Sequence, residues 1–185
     1  MKLGIVISSV RVGRAGSAVG DWFRERVCSH AGFESVIVDL QEWNLPAFSE
    51  PQHPRLKKYQ FEHTKRWSAA VDALDAFALV VPEYNHGAPP ALLNALDYLV
   101  DEWAYKPAVF VSYGGVSAGT RAVSMLTLTL NSLKIVPIYE AVSIPFVSSA
   151  LVDGTYPGSE IQNQAASLAL SELLRWAVAL KTLRV

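Results

Sequence analysis

The sequence predicts a single α/β domain spanning residues 1–185. Its core is a doubly wound, five-stranded parallel sheet of order 2-1-3-4-5, with helices on both faces. Three observations carry this. Short runs of consecutive apolar, often β-branched residues recur along the chain, as strands buried on both faces require. Helix-period segments separate them in strict alternation. The chain has 185 residues, half of them hydrophobic, which is enough to bury one sizeable core.

The elements follow in order. "KLGIVIS" (2–8) reads as the first buried strand. From Ser17 the apolar positions Val19, Trp22, Phe23 and Val27 recur at helical spacing. "FESVIVDL" (33–40) is the second strand. "QEWNLPAFSEPQHPRLKKYQ" (41–60) is rich in proline and polar residues and reads as a long surface excursion of the kind that is often functional. A helix over 63–76 leads to the third strand, "FALVVP" (77–82). A fourth segment of helix runs from about Pro90 to Val100, with proline suited to its first turn. "PAVFVSY" (107–113) is strand four, followed by the helix "GTRAVSMLTLTLNSL". "IVPIYEAVSI" (135–144) is strand five, irregular at Pro137, and Ile161–Leu183 forms a long amphipathic helix. Five alternating units suit the flavodoxin-like arrangement, in which ligands sit at the carboxyl ends of the strands.

A net charge of −1 argues against a protein that grips nucleic acid by broad phosphate attraction. The single cysteine, Cys28, excludes an internal disulfide and a paired-cysteine metal or redox site, and it suits a reducing cytoplasm. On helix 1 beside Trp22 and Phe23, Cys28 is expected in the core. The N-terminal apolar stretch is too short for a secretory signal and no run is long enough to span a membrane, so a soluble cytoplasmic protein is expected. His53 and His63 lack companions at metal-ligand spacing, and no metal site is expected.

In such a sheet the loops after strands 1, 3 and 4 meet at one edge, and here they have the most unusual compositions. "SSVRVGRAGS" offers the hydroxyls of Ser8, Ser9 and Ser17, the guanidinium groups of Arg11 and Arg14, and a helix start. Unpaired N–H groups at that start and bidentate arginines suit a phosphate. Gly13 and Gly16 permit close approach of the backbone. The glycine spacing matches neither a Walker A loop nor a dinucleotide fingerprint. "PEYNHG" brings Tyr84 and Asn85, an aromatic ring and an amide suited to a flat heterocycle; alternatively, Tyr84 packs under a helix and Asn85 caps a turn. His86 in this loop reads more simply as a hydrogen-bonded residue than as a catalyst. "SYGGVSAGT" places Gly114, Gly115 and Gly119 beside a helix start, as a close-lying ligand or a flexible connection would require. Together the three loops point to one elongated, planar, phosphorylated ligand.

Those stretches resemble the NADPH-dependent FMN reductase family. The family's Gly-Ser-x-Arg-x-x-(Ser/Arg) motif is met at Ser9, Arg11 and Arg14, with Ser8 in place of glycine. Its Pro-Glu-Tyr-Asn motif stands intact as Pro82, Glu83, Tyr84 and Asn85, and its Gly-Gly turn is "SYGGVSAG". The similarity extends through "LPAFSEP", "HTKRWSAAVDALDAF" and "LNALDYLVDEWAYKP", with Leu93 where relatives often have lysine. The resemblance implies noncovalent FMN, with NADPH or NADH as donor and a quinone, flavin, azo dye or similar small molecule as acceptor. It implies that Ser9, Arg11, Arg14, Gly16 and Ser17 surround the FMN phosphate. Pro82, Glu83, Tyr84 and Asn85 would hold the ring, with Ser112, Tyr113, Gly114 and Gly115 beside it. The flavin carries the chemistry, so no catalytic side chain is expected, and Arg14→Ala should weaken FMN retention far more than folding. A homodimer or homotetramer is implied, and "LLNALDYLV" is an apolar helix suited to self-association.

Three other readings compete. A flavodoxin-type electron carrier would tend to be strongly acidic, which this chain is not. A dinucleotide-binding dehydrogenase domain would use Asp39 at the end of strand 2 to grip a ribose. A regulatory protein without cofactor would make all three loops vestigial. Trp43, Phe48, Tyr59, Trp103 and Tyr105 either pack locally or line a substrate entrance.

Overall fold

The computed structural model describes residues 1–184. Its five strands are β1 (Lys2–Ile7), β2 (Glu34–Asp39), β3 (Ala76–Pro82), β4 (Pro107–Tyr113) and β5 (Val136–Ile144). They form one sheet in the order β2-β1-β3-β4-β5, every neighbouring pair parallel. The period of two along each strand divides the core. Leu3 and Ile5 of β1, and Ala76, Ala78 and Val80 of β3, point to one face. Val6, Phe77, Leu79 and Val81 point to the other. The first face is covered by α1 (Gly16–Cys28) and α7 (Glu160–Lys181), which contribute Val19, Phe23, Leu170 and Leu173. The second is covered by α3 (Glu62–Asp72), α4 (Pro90–Asp97) and α5 (Thr120–Ser132), through Trp67, Leu92, Leu96, Leu126 and Leu130. The register of β5 on β4 shifts between Ala108 and Phe110, the irregularity that Pro137 implied.

Several boundaries differ from the sequence expectation for visible reasons. α3 stops at Asp72, because Leu74 turns into the core and the Asp75 carboxylate accepts the Lys2 N–H at 2.9 Å, tying the turn to β1. α4 stops at Asp97 rather than Val100, and its last carbonyls are occupied: the indoles of Trp67 and Trp103 donate to Ala95 and Leu96 at 3.0 and 3.2 Å. α7 starts at Glu160 with a full capping box between Ser159 and Gln162.

The excursion over 41–60 is anchored throughout. Asp39 caps the short α2 (Leu40–Trp43), and a single 3₁₀ turn forms at Pro54–Leu56. Trp43 packs edge-on to Trp67 and Phe48 edge-on to Tyr98, with ring centroids 4.9 and 5.2 Å apart. The Tyr59 hydroxyl donates to the buried Glu102 carboxylate at 2.8 Å. These aromatics, and the buried Trp103, pack locally. Cys28 is exposed, contrary to expectation. The buried stripe of α1 runs Val19, Trp22, Phe23, Val27, and the next residue turns about 100° away from it.

Candidate active site

The loops after β1, β3 and β4 do converge, around a cavity of about 290 Å³ at the carboxyl ends of the strands. The first loop contributes Ser9, Arg11, Arg14 and Ala15 to its lining; the second, Pro82, Glu83 and Tyr84; the third, Tyr113, Gly114 and Gly115. A fourth wall, Phe146 to Ser149, follows β5 and includes the start of the short α6 (Val147–Ala150). It is clipped to the third loop, where the N–H groups of Phe146 and Val147 donate to the carbonyls of Gly115 and Gly114, both at 3.1 Å.

The two arginines differ in situation. Arg14 is engaged on all sides: Nη1 donates to the Ser9 carbonyl at 2.7 Å and to Asp39 at 2.8 Å, Nη2 reaches the other Asp39 oxygen, and Nε donates to Ser17 Oγ at 3.0 Å. The side chains of this pair are only 11 and 8% exposed. Asp39 is thus a clamp for the first loop rather than a ribose ligand. Arg11 is exposed, lines the cavity, and has no ion-pair partner among the described residues. It is the cation of this loop left available to an anion.

The second and third loops are tied to each other and to the first. Tyr84 and Gly87 exchange backbone hydrogen bonds of 2.9 Å, closing a two-residue turn whose tip residues, Asn85 and His86, have φ of 50° and 67°. Asparagine tolerates that left-handed geometry, which is Asn85's contribution here. The Tyr84 hydroxyl meets Ser9 Oγ at 2.6 Å. Glu83 bridges to α5: it accepts from Arg121 Nε at 2.6 Å and from Ser117 Oγ at 2.9 Å. The hydrogen bonds from Arg121, with Ser117 adding to them, hold the Glu83 carboxyl below its ordinary range against a partial opposing effect of burial. Gly119 has φ +82°, and a Cβ there would lie 2.8 Å from the Tyr113 N atom, so this glycine lets the third loop fold back on β4.

Four of the expected contact residues shape the walls without lining them. Gly16 lies beneath the Tyr113 hydroxyl, where an added Cβ would approach to 2.7 Å. Ser17 holds Arg14. Asn85 forms the turn tip. Ser112 is buried one residue before the cavity wall, on the strand face opposite Tyr113. Three contributors were not expected: Phe146 with its neighbours, Arg121 and Ser117. The first lies after β5, whose carboxyl end shares the same edge. Arg121 had its own signal, since a cation in the first turn of a helix opposes the dipole unless an acid holds it there.

The residues fit a flavin mononucleotide. Ser9, Arg11 and the start of α1 offer hydroxyl, guanidinium and N–H donors to a phosphate. The Tyr113 hydroxyl is buried at the cavity floor without a hydrogen-bond partner among the described residues. Burial, with Tyr84 adding to it, raises its pKa, so it remains a protonated donor. A Cβ at Gly115 would meet nothing within 4 Å, leaving its backbone open to a ligand.

Comparison with known proteins agrees. The sequence model described as NADPH-dependent FMN reductase matches residues 1–148. The NAD(P)H-dependent FMN reductase ntnL of Nectria sp is 35% identical over 185 residues, covering 92% of this chain and 90% of its own. A Saccharomyces cerevisiae NAD(P)H-dependent FMN reductase is 33% identical, covering 89% of this chain and 92% of its own. Among solved structures, FerB, a flavoenzyme NAD(P)H:(acceptor) oxidoreductase from Paracoccus denitrificans, superposes with a TM-score of 0.75 at 19% identity, over 96% of this chain and 97% of that one, a likeness of fold. Among the described residues no helix is long and apolar enough to cross a membrane. With three loops gathered on one cavity and relatives matched along most of their length, the chain belongs to the NADPH-dependent FMN reductase family, an oxidoreductase that uses FMN and takes electrons from NAD(P)H.

Proposed function

We propose that the chain reduces a flat small-molecule acceptor, a quinone, a flavin or an azo compound, at the cavity where the loops after β1, β3 and β4 converge. The observation that carries this reading is that convergence itself: an anion-binding loop, an aromatic wall and an open glycine turn share one cavity. FMN, when bound, supplies the redox chemistry between nicotinamide and acceptor. Ser9, Arg11 and the α1 start hold its phosphate. Tyr84, Gly114 and Gly115 border the ring, and the Glu83–Arg121 pair keeps their two loops in register. Phe146, exposed and in a left-handed conformation with φ 48°, presents an apolar face to an incoming planar molecule. No proton-transferring side chain is required of the protein in this reading.

Self-association as a homodimer or homotetramer belongs to the same reading. The apolar residues of the "LLNALDYLV" helix expected for this role, Leu92, Leu96 and Leu99, are buried in the chain's own core; exposed Met125 and Leu128 on α5 and Val116 before it instead leave apolar surface for a second copy. The decisive experiment is NAD(P)H oxidation by the FMN-loaded protein across quinones, flavins and azo dyes, with NADPH and NADH compared. Turnover with any of these acceptors supports an enzyme. Flavin uptake with no NAD(P)H consumption would point to an electron carrier instead.

A further inference from the structure

A second cavity, about 520 Å³, lies at the opposite edge of the sheet, where β3, β4 and β5 begin and α3 and α7 end. Five of its lining side chains are cationic and three are carboxylates, an excess of two positive charges on a chain whose overall charge is −1. Lys106 is its anchor. The residue is 3% exposed, and its ammonium donates to the carbonyls of Val71 and Asp72 at 2.8 and 3.0 Å, with no ion-pair partner among the described residues. Burial lowers its pKa to about 8, as for an ammonium short of counter-charge.

Cations gather at helix C-termini because the dipole favours them, and that accounts for Lys106 on the last carbonyls of α3. Lys181, in the last turn of α7, gains from the same effect, with Arg184 just beyond it and Lys134 just past α5; what the dipole does not explain is their convergence with Lys106 on one cavity. Asp75 lies 3.4 Å from Lys181 and 3.3 Å from Arg184, so one carboxylate serves two cations. Its other oxygen is taken by the Lys2 N–H. Arg184 also buries Nε and Nη2 without a partner among the described residues. Lys134 caps the rim, its ammonium 5.3 Å from the Tyr105 ring, and both residues have φ of 58°, a conformation that costs a non-glycine residue energy.

We propose that this cavity binds a compact dianionic oxyanion, inorganic phosphate or a phosphomonoester, on Lys106, Lys134, Lys181 and Arg184. A dianion matches the excess charge, and its oxygens accept from the ammonium groups of Lys134 and Lys181, exposed side chains that line the cavity. The site is separate from the FMN phosphate loop and does not depend on the acceptor that the enzyme reduces.

The test is an amide NMR titration of the FMN-loaded protein, whose own phosphate loop is then filled. Inorganic phosphate and glycerol 3-phosphate are added in turn, with ionic strength held constant by sodium chloride. Saturable shifts at Tyr105, Lys106 and Lys134 with either anion are expected, and which of the two saturates identifies free or esterified phosphate as the source. The doubly substituted K134Q/K181Q protein, altered only on partly exposed side chains, should bind at least tenfold more weakly with its FMN affinity unchanged. K106M should abolish binding if it folds; the double variant carries the test if it does not. Shifts that stay linear with both anions, or saturation that the double variant leaves unaltered, would overturn the assignment.

Discussion

Removing each arginine of the first loop separately distinguishes anchoring the loop from gripping the cofactor. Arg14→Ala deletes four hydrogen bonds and leaves the Asp39 carboxylate, 8% exposed, with only the Gln41 N–H. Breaking a buried pair on one side costs about 3–5 kcal/mol, and this variant should lose that much folding stability. The sequence alone suggested that Arg14→Ala would weaken FMN retention far more than folding; its engagement with Asp39 predicts a large folding cost as well. Arg11→Ala removes an exposed side chain with no partner among the described residues, so stability should stay within about 0.5 kcal/mol of wild type. The same change would delete the charge-assisted bond to the FMN phosphate proposed above, worth about 1.5–3 kcal/mol, a loss of roughly 10- to 150-fold in affinity. Urea denaturation of the flavin-free variants gives the first quantity, and flavin fluorescence quenching on titration gives the second. The division of roles is wrong if Arg11→Ala binds FMN as wild type does, or if Arg14→Ala unfolds at the wild-type urea concentration.

Three other perturbations follow from the geometry. Gly16→Ala puts a methyl group 2.7 Å from the Tyr113 hydroxyl and should weaken FMN binding at least tenfold by displacing the cavity floor, as fluorescence titration would show; unchanged affinity would contradict the close approach. Glu83 has a lowered folded pKa, so its contribution is present above the ordinary carboxylate value and is lost as pH falls through the folded one. FMN retention should therefore decline on acidification more steeply in wild type than in Glu83→Gln, measured by flavin release on filtration. Lys106 acts in the same direction in a higher window: with a folded pKa of about 8 against an ordinary 10.5, the unfolded chain binds the extra proton between those values. Stability should rise with pH across that window by roughly 3 kcal/mol from this group, and Lys106→Met should lack the rise in urea midpoints.

The strands and their order were legible because each is a short apolar segment, often β-branched, too short for a helix, and because strict alternation leaves few topologies. The site's location followed from the fold, since the loops after β1, β3 and β4 must share an edge. The partnerships that set each residue's role were hidden. Arg14 and Asp39 are 25 residues apart and Glu83 and Arg121 are 38 apart; each pair meets only through the tertiary fold. Nothing local distinguishes a phosphate arginine from one clamped by a carboxylate. Cys28 was legible and misread: its spacing from Val19, Phe23 and Val27 already placed it off the buried stripe. The excursion over 41–60 read only as a surface excursion because its anchors, Trp67, Asn94, Tyr98 and Glu102, lie on later elements.

The central claim is that FMN lies across these three loops with its phosphate at the first. A crystal structure of the FMN complex tests it most directly. The account predicts phosphate density beside Ser9 and Arg11, with the ring bordered by Tyr84 and the Gly114–Gly115 turn. Phosphate density at any other loop, or a ring lying outside this cavity, would contradict it.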